Sequence, residues 1–127
     1  MEVYHYTSND GLKAIEQSGF IEQSSLVRAD DAAFGTGVYL TTLTPEQGRQ
    51  RIASNNYGSD LAHKMEQQGR VECAIKLWIP RNKLDKAKSD RDVWIHKGRV
   101  SLDVYKWTKI TWEKKGFLSW LCDCSVM

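Results

Sequence analysis

Nine residues in the middle of the chain constrain its fold more than any others. From Val71 to Ile79, the residues Val71, Cys73, Ile75, Leu77 and Ile79 alternate with Glu72, Ala74, Lys76 and Trp78. Apolar residues at period two line one face of a β-strand, and Pro80, with no N–H to give a ladder, closes it. At 127 residues, 41% of them hydrophobic, the chain can build one ordinary core around that strand and is too short for two comfortable domains. Residues 1–113 read as one domain and residues 114–127 as a short tail.

Local signals place the other elements. Glu2 to Tyr6 is rich in β-formers, and Thr7, Ser8 and Asn9 offer capping side chains for a helix that carries Leu12 and Ile15 and ends at Gly19. Phe20 and Ile21 restart an extended segment. Glu22 to Phe34 is polar and aperiodic, a surface loop of the kind that borders a site. Val38 to Leu40 is a strand, and Thr44-Pro45-Glu46-Gln47 has the form of a helix start with a capping box. Asp60 to Gln68 predicts a short helix with Leu61, Ala62 and Met65 on one side. Arg81 to Arg91 is a charged loop, Asp92 to His96 is extended, and Lys97-Gly98 turns the chain into Arg99 to Trp112, one bent strand or two short ones. The sum is an α+β fold with helices early and antiparallel strands late.

Composition excludes more than it assigns. Eighteen Lys and Arg against 16 Asp and Glu leave a formal charge of +2, too mild for a sequence-independent nucleic-acid clamp. The first residues, MEVYHYTS, lack a secretory pattern, and no apolar run reaches bilayer length, so the body is expected to stay intracellular. Cys73, Cys122 and Cys124 are an odd set, two of them near the end of the chain, and argue against a disulfide scaffold. His5, His63 and His96 are widely spaced with no Cys-x-x-Cys beside them, so no metal is expected.

Three islands carry the chemistry: VYHYTS at 3–8, AFGTGVYLT at 33–41 and RDVWIHKGRVSL at 91–102. In that order, over about 100 residues, they resemble the His-Tyr-Glu branch of the ADP-ribosyltransferases, which holds the diphtheria-type toxins and the poly(ADP-ribose) polymerases. The chain looks closest to the toxin-type variant that ends in Asp. The resemblance implies a split antiparallel β-sheet core with a few short helices, and NAD as the substrate. It implies that His5 bonds a ribose hydroxyl of NAD and that the backbone at Tyr6, where many relatives have Gly, holds the nicotinamide amide with Thr7 beside it. Tyr39 matches the tyrosine that stacks on nicotinamide, after Gly35 and Gly37, and Ser54 with Tyr57 fits the family's Ser-x-x-Tyr spacing. Singly, each match has a plainer explanation, since a strand histidine is usually a hydrogen-bonded structural residue and a strand tyrosine is usually packing. The three in order carry the weight.

An acid is needed because breaking the nicotinamide–ribose bond develops oxocarbenium-like charge on the sugar, which a carboxylate can stabilise. Asp92 opens an extended segment that turns back through Gly98, as the family's acid does, and is preferred to Asp103 on the return strand. The expected activity is NAD-dependent mono-ADP-ribosyl transfer to an unidentified acceptor, of protein kind; Asp, one methylene shorter than Glu, favours single transfer over chain synthesis. NAD glycohydrolysis and a silent NAD- or ADP-ribose-binding module stay open. The last residues, Cys124-Ser125-Val126-Met127, form a C-a-a-X pattern whose Met favours farnesylation of Cys124. Cys122 offers a palmitoylation site, and Lys114, Lys115, Phe117, Leu118, Trp120 and Leu121 make a basic then apolar approach to a membrane. The expected location is the cytoplasmic face of a membrane.

Overall fold

The computed structural model describes residues 1–24 and 35–111 with their side chains, and the backbone of 121–123. In chain order the elements are β1 (Glu2–Thr7), α1 (Asn9–Ser18), β2 (Phe20–Ile21), β3 (Val38–Leu40), α2 (Arg49–Tyr57), α3 (Ser59–Gln67), β4 (Cys73–Trp78), β5 (Asp85–Lys86), β6 (Trp94–His96), β7 (Val100–Ser101), β8 (Lys106–Thr111) and β9 (Leu121–Asp123). The main sheet runs β1-β4-β8-β9, all antiparallel, with Val3 opposite Leu77, His5 opposite Ile75 and Leu77 opposite Trp107. Two smaller antiparallel pairings, β3-β6-β5 and β2-β7, make up the other half of the split core.

The alternation in β4 is the organising pattern. Its residues Cys73, Ile75 and Leu77, with the flanking Ile79, are buried on one face, whereas Val71 lies in the turn before the strand and is buried in the opposite cluster. Cys73, Ile75, Leu77 and Ile79 share one core with Val3, Leu12 and Ile15 of α1, Ile21, Val38, Leu40 and Val100. Burying an Ile or Leu side chain of this kind stabilises the fold by about 1.5–3 kcal/mol. The opposite face is covered as well: Tyr4, Tyr6, Ala74 and Ile110 pack against Ile52 and Ala53 of α2 and Ala62 of α3. Ala74 sits on the face that alternation assigns to solvent, and it is buried because two helices cross there.

The helix ends follow local chemistry where the signal is local. Ser8 caps α1, its side chain accepting from the Gly11 N–H at 3.0 Å, and Gly19 ends the helix in the left-handed conformation. The expected helix at Thr44 is different. Pro45–Gln47 is only a 3₁₀ turn, Thr44 makes no side-chain cap bond, and Gly48 at φ 89 breaks the path before α2 begins at Arg49. A capping box needs the helix to continue through its third residue, and a backbone at that φ does not continue one. Within the expected loop at 81–91 the chain forms a 3₁₀ turn, Arg81–Lys83, and then β5. The return segment is two short strands, β7 and β8, separated by a turn that contains Asp103.

Gly37 is required by proximity. A Cβ there would run into Ile95 Cγ2 and come within 3.1 Å of the His96 carbonyl oxygen, because β6 lies directly against it. Ile95 is β-branched and stiff, so it yields little room. Gly37→Ala is expected to destabilise the domain by about 1–3 kcal/mol, read as a drop of several degrees in Tm by thermal unfolding.

Of the segment read as a tail, residues 121–123 lie beside β8 as β9, with Ile110 opposite Cys122. The side chain of Cys122 and all of Cys124 fall outside the described residues, as do most of the Glu22 to Phe34 loop and residues 112–120.

Candidate active site

The site forms where the sheet splits. Tyr4 of β1 and Thr41, just after β3, exchange both peptide hydrogen bonds, at 2.7 and 3.0 Å, in a single isolated bridge. No ladder continues from it. The carbonyl of Tyr39, which a ladder would have used, is met instead by His5 Nδ1 at 3.1 Å. A cavity of about 360 Å³ opens at this point, lined by His5, Tyr6, Thr7, Tyr39, Thr41 and Tyr57 among others.

The His5 ring has a defined role by elimination. Tyr39 O only accepts, so Nδ1 carries the proton and Nε2 is left as an acceptor. Desolvation holds the imidazole pKa below its ordinary value of 6.5, opposed by the bond to the Tyr39 carbonyl. The neutral ring therefore dominates at neutral pH.

Tyr6 turns its peptide, not its ring, toward β3. Its side chain turns to the helical face, where its hydroxyl donates to Leu43 O at 2.7 Å and burial raises its pKa. Peptide groups alternate along a strand, so the N–H and C=O of Tyr6 face the same edge as those of Tyr4, toward β3 and the cavity. Tyr39 is held by its hydroxyl, which donates to Gly35 O at 2.6 Å, and by packing against Ala87, Val93 and Ile95. Tyr57 ends α2 and reaches the same cavity. Gly37 does not line it, and its part is to bring β3 against β6.

Ser54 and Asp92 lie on the other side of a thin wall. Both line a neighbouring groove with Arg49, Arg51 and Arg91, while Thr41 and Val93, the residues beside Asp92, face the cavity. The Asp92 carboxylate is closely held. Its Oδ1 accepts from the Thr42 N–H at 3.0 Å and from Thr41 Oγ1 at 3.3 Å, and its Oδ2 accepts from Thr42 Oγ1. Asp103, by contrast, is exposed on the turn between β7 and β8 and lines neither space.

The structure adds residues that no motif marked. Glu22, Gln23 and Ser24 line the cavity from the loop after β2, Asn56 from α2, and Arg70 from the turn before β4. Arg70 is the one Lys or Arg among the described lining residues, and Glu22 forms an exposed ion pair with Arg99 at 3.6 Å. A polar loop beside a motif was the only signal for the first three, and Asn56 and Arg70 had none. Among the described residues no group of His, Cys, Asp and Glu is placed to hold a metal ion.

No curated protein and no solved structure matches the chain. A family model does, over residues 3–107, a span that contains His5, Tyr39 and Asp92. The chain belongs to that toxin-type family, described as HYD1 signature containing ADP-ribosyltransferase.

Proposed function

We propose that the chain is an NAD-dependent mono-ADP-ribosyltransferase, which breaks the nicotinamide–ribose bond in the cavity between β1 and β3 and passes ADP-ribose to an acceptor. The observation that carries this reading is the convergence of His5, the Tyr6 peptide, Tyr39 and Tyr57 on one cavity whose wall is backed by a carboxylate. The Tyr39 and Tyr57 rings supply faces for a planar nicotinamide ring. The Tyr6 N–H and C=O suit its amide, which has an acceptor and a donor of its own. His5 Nε2 accepts from a ribose hydroxyl.

In the chemical step the electron pair of the glycosidic bond leaves with the nicotinamide nitrogen, which becomes neutral, and positive charge develops on the ribose. The Asp92 carboxylate stabilises that charge. Supporting Asp92 in this role is its place against Thr41 on the cavity wall, whereas Asp103 faces solvent. The acceptor then donates its electron pair to the ribose carbon and loses a proton.

The test is incubation of the full chain with NAD labelled in its adenylate half, in the presence of a protein mixture. Nicotinamide release with label bound to protein is the expected result. Free ADP-ribose without labelled protein would make the chain a hydrolase, and NAD binding without nicotinamide release would make it a binding module.

A further inference from the structure

The pairing of β3 with β6 runs from Val38 opposite His96 to Leu40 opposite Trp94, and the same register continued would set Thr42 opposite Asp92. It stops there because the Thr42 N–H, which would have met the Asp92 carbonyl, donates to the Asp92 carboxylate instead. Asp92 is thus left just beyond the end of a strand, with its own N–H and C=O off the ladder. The side chain of Asn55, 37 residues away on α2, takes both. Asn55 Oδ1 accepts from the Asp92 N–H at 2.7 Å, and Asn55 Nδ2 donates to the Asp92 C=O at 2.7 Å. Nδ2 also donates to Thr41 Oγ1 at 3.2 Å.

From this geometry we infer that Asn55 is a positioning residue, which fixes the Asp92 backbone and thereby aims its carboxylate at the cavity wall. The inference rests on the reading of Asp92 as the group that stabilises the ribosyl cation. A planar side-chain amide here replaces a strand: it pairs with one residue's N–H and C=O as a neighbouring backbone would. At neutral pH the Asn and Gln amides carry a donor and an acceptor side by side where an ionised carboxylate only accepts, and Gln, one methylene longer on the same helix, does not fit the same spacing. The reverse orientation of the amide would set Oδ1 against both the Asp92 carbonyl and the lone pairs of Thr41, so the network itself selects the observed one.

Two sets of bonds then over-determine Asp92. Asn55 holds its peptide, and Thr41 and Thr42 hold its carboxylate. Thr41 joins the two sets: it is 1% exposed, and its hydroxyl accepts from Asn55 and from the Leu43 N–H while it donates to Asp92. Asn55 lines the groove and not the cavity, which it reaches only through the Thr41 hydroxyl, so its removal acts first on the carboxylate and leaves His5, Tyr39 and Tyr57 in place. A misplacement of about 1 Å lowers a rate by on the order of a hundredfold.

The experiment compares nicotinamide release from NAD by the wild-type chain, Asn55→Ala, Asn55→Asp and Asp92→Asn. For Asn55→Ala we expect kcat to fall about 10- to 100-fold with KM for NAD within about twofold. Asn55→Asp differs by one group and carries a pH signature. Ionised, it has no donor for the Asp92 carbonyl, and protonated it regains one, so its rate relative to wild type is expected to rise several-fold from about pH 8 to about pH 5. A side chain that merely stabilised the fold would give no such rise in a chain that is folded at both pH values.

Folded Asn55 variants with wild-type kcat, or with raised KM and unchanged kcat, overturn the inference. Failure of both variants to fold assigns Asn55 to stability alone and overturns it too. The reading beneath it fails separately: a wild-type chain that releases no nicotinamide, or an Asp92→Asn chain as fast as wild type, removes the role that Asn55 is inferred to serve.

Discussion

Asp92→Asn is expected to lower kcat for nicotinamide release by about a thousandfold while KM for NAD stays within about threefold. The substitution keeps the shape of the side chain. Its Oδ1 still accepts from the Thr42 N–H and Thr41 Oγ1, and its amide N–H can donate to Thr42 Oγ1, so the hydrogen bonds that hold residue 92 have counterparts. What it removes is the negative charge. In intact NAD the positive charge lies on the nicotinamide ring, and as the bond breaks it passes to the ribose, where the carboxylate acts. The effect therefore belongs to the transition state. Asp103→Ala is expected to turn over like wild type, because Asp103 is exposed on the β7–β8 turn, where its N–H donates to Ser101 Oγ at 3.2 Å, and it lines neither the cavity nor the groove. Steady-state kinetics of the two variants decides the matter, and the opposite pattern would move the acid to the turn.

Acid is expected to weaken both activity and stability through His5. Its pKa lies below the ordinary 6.5 because burial desolvates the ring. Protonation would place a cation beside the positively charged nicotinamide ring of NAD and turn the Nε2 acceptor into a donor, so kcat/KM should fall as pH drops through that pKa. For stability the sign follows from proton counts. Between the folded and unfolded pKa values the unfolded chain binds more protons, so the contribution is fully present above about pH 6.5 and is lost as pH falls through the lower folded value. His5→Ala should lose about a hundredfold in kcat/KM, equivalent to about 2.7 kcal/mol, and should remove this part of the acid dependence. Urea unfolding and kinetics at about pH 5 and about pH 8 measure both effects. An unchanged acid limb in His5→Ala would assign that limb to another group.

How legible each part was depended on how local its cause is. The alternation from Val71 to Ile79 marked β4, and the chemistry of Ser8 and Gly19 marked both ends of α1, because caps and strand faces are set within a few residues. The same kind of reasoning misplaced the start of α2. Thr44-Pro45-Glu46-Gln47 has the residues of a capping box, but Gly48 at φ 89 separates the 3₁₀ turn from the helix. His5, Tyr39 and Tyr57 were visible as islands of motif. Arg70 and Asn55 were not, since their residue types alone do not distinguish a cavity-lining or backbone-bridging side chain from one on the surface.

Taken by itself, the sequence determined the main strands, α1 with its caps, and the residue types available for chemistry, all of which rest on interactions between near neighbours. Tertiary structure alone decided that Thr41 bridges Tyr4 once and then lets the sheet part, which creates the cavity. It also decided that Ser54 and Asp92 line a different space from His5 and Tyr39, that Ala74 is covered on a face that alternation leaves open, and that burial holds the His5 pKa below its ordinary value. The physical reason is common to all four. Desolvation and hydrogen bonds between groups far apart in the chain depend on what packs against a residue, and that is known only once β1, β3, α2 and the segment before β6 have come together.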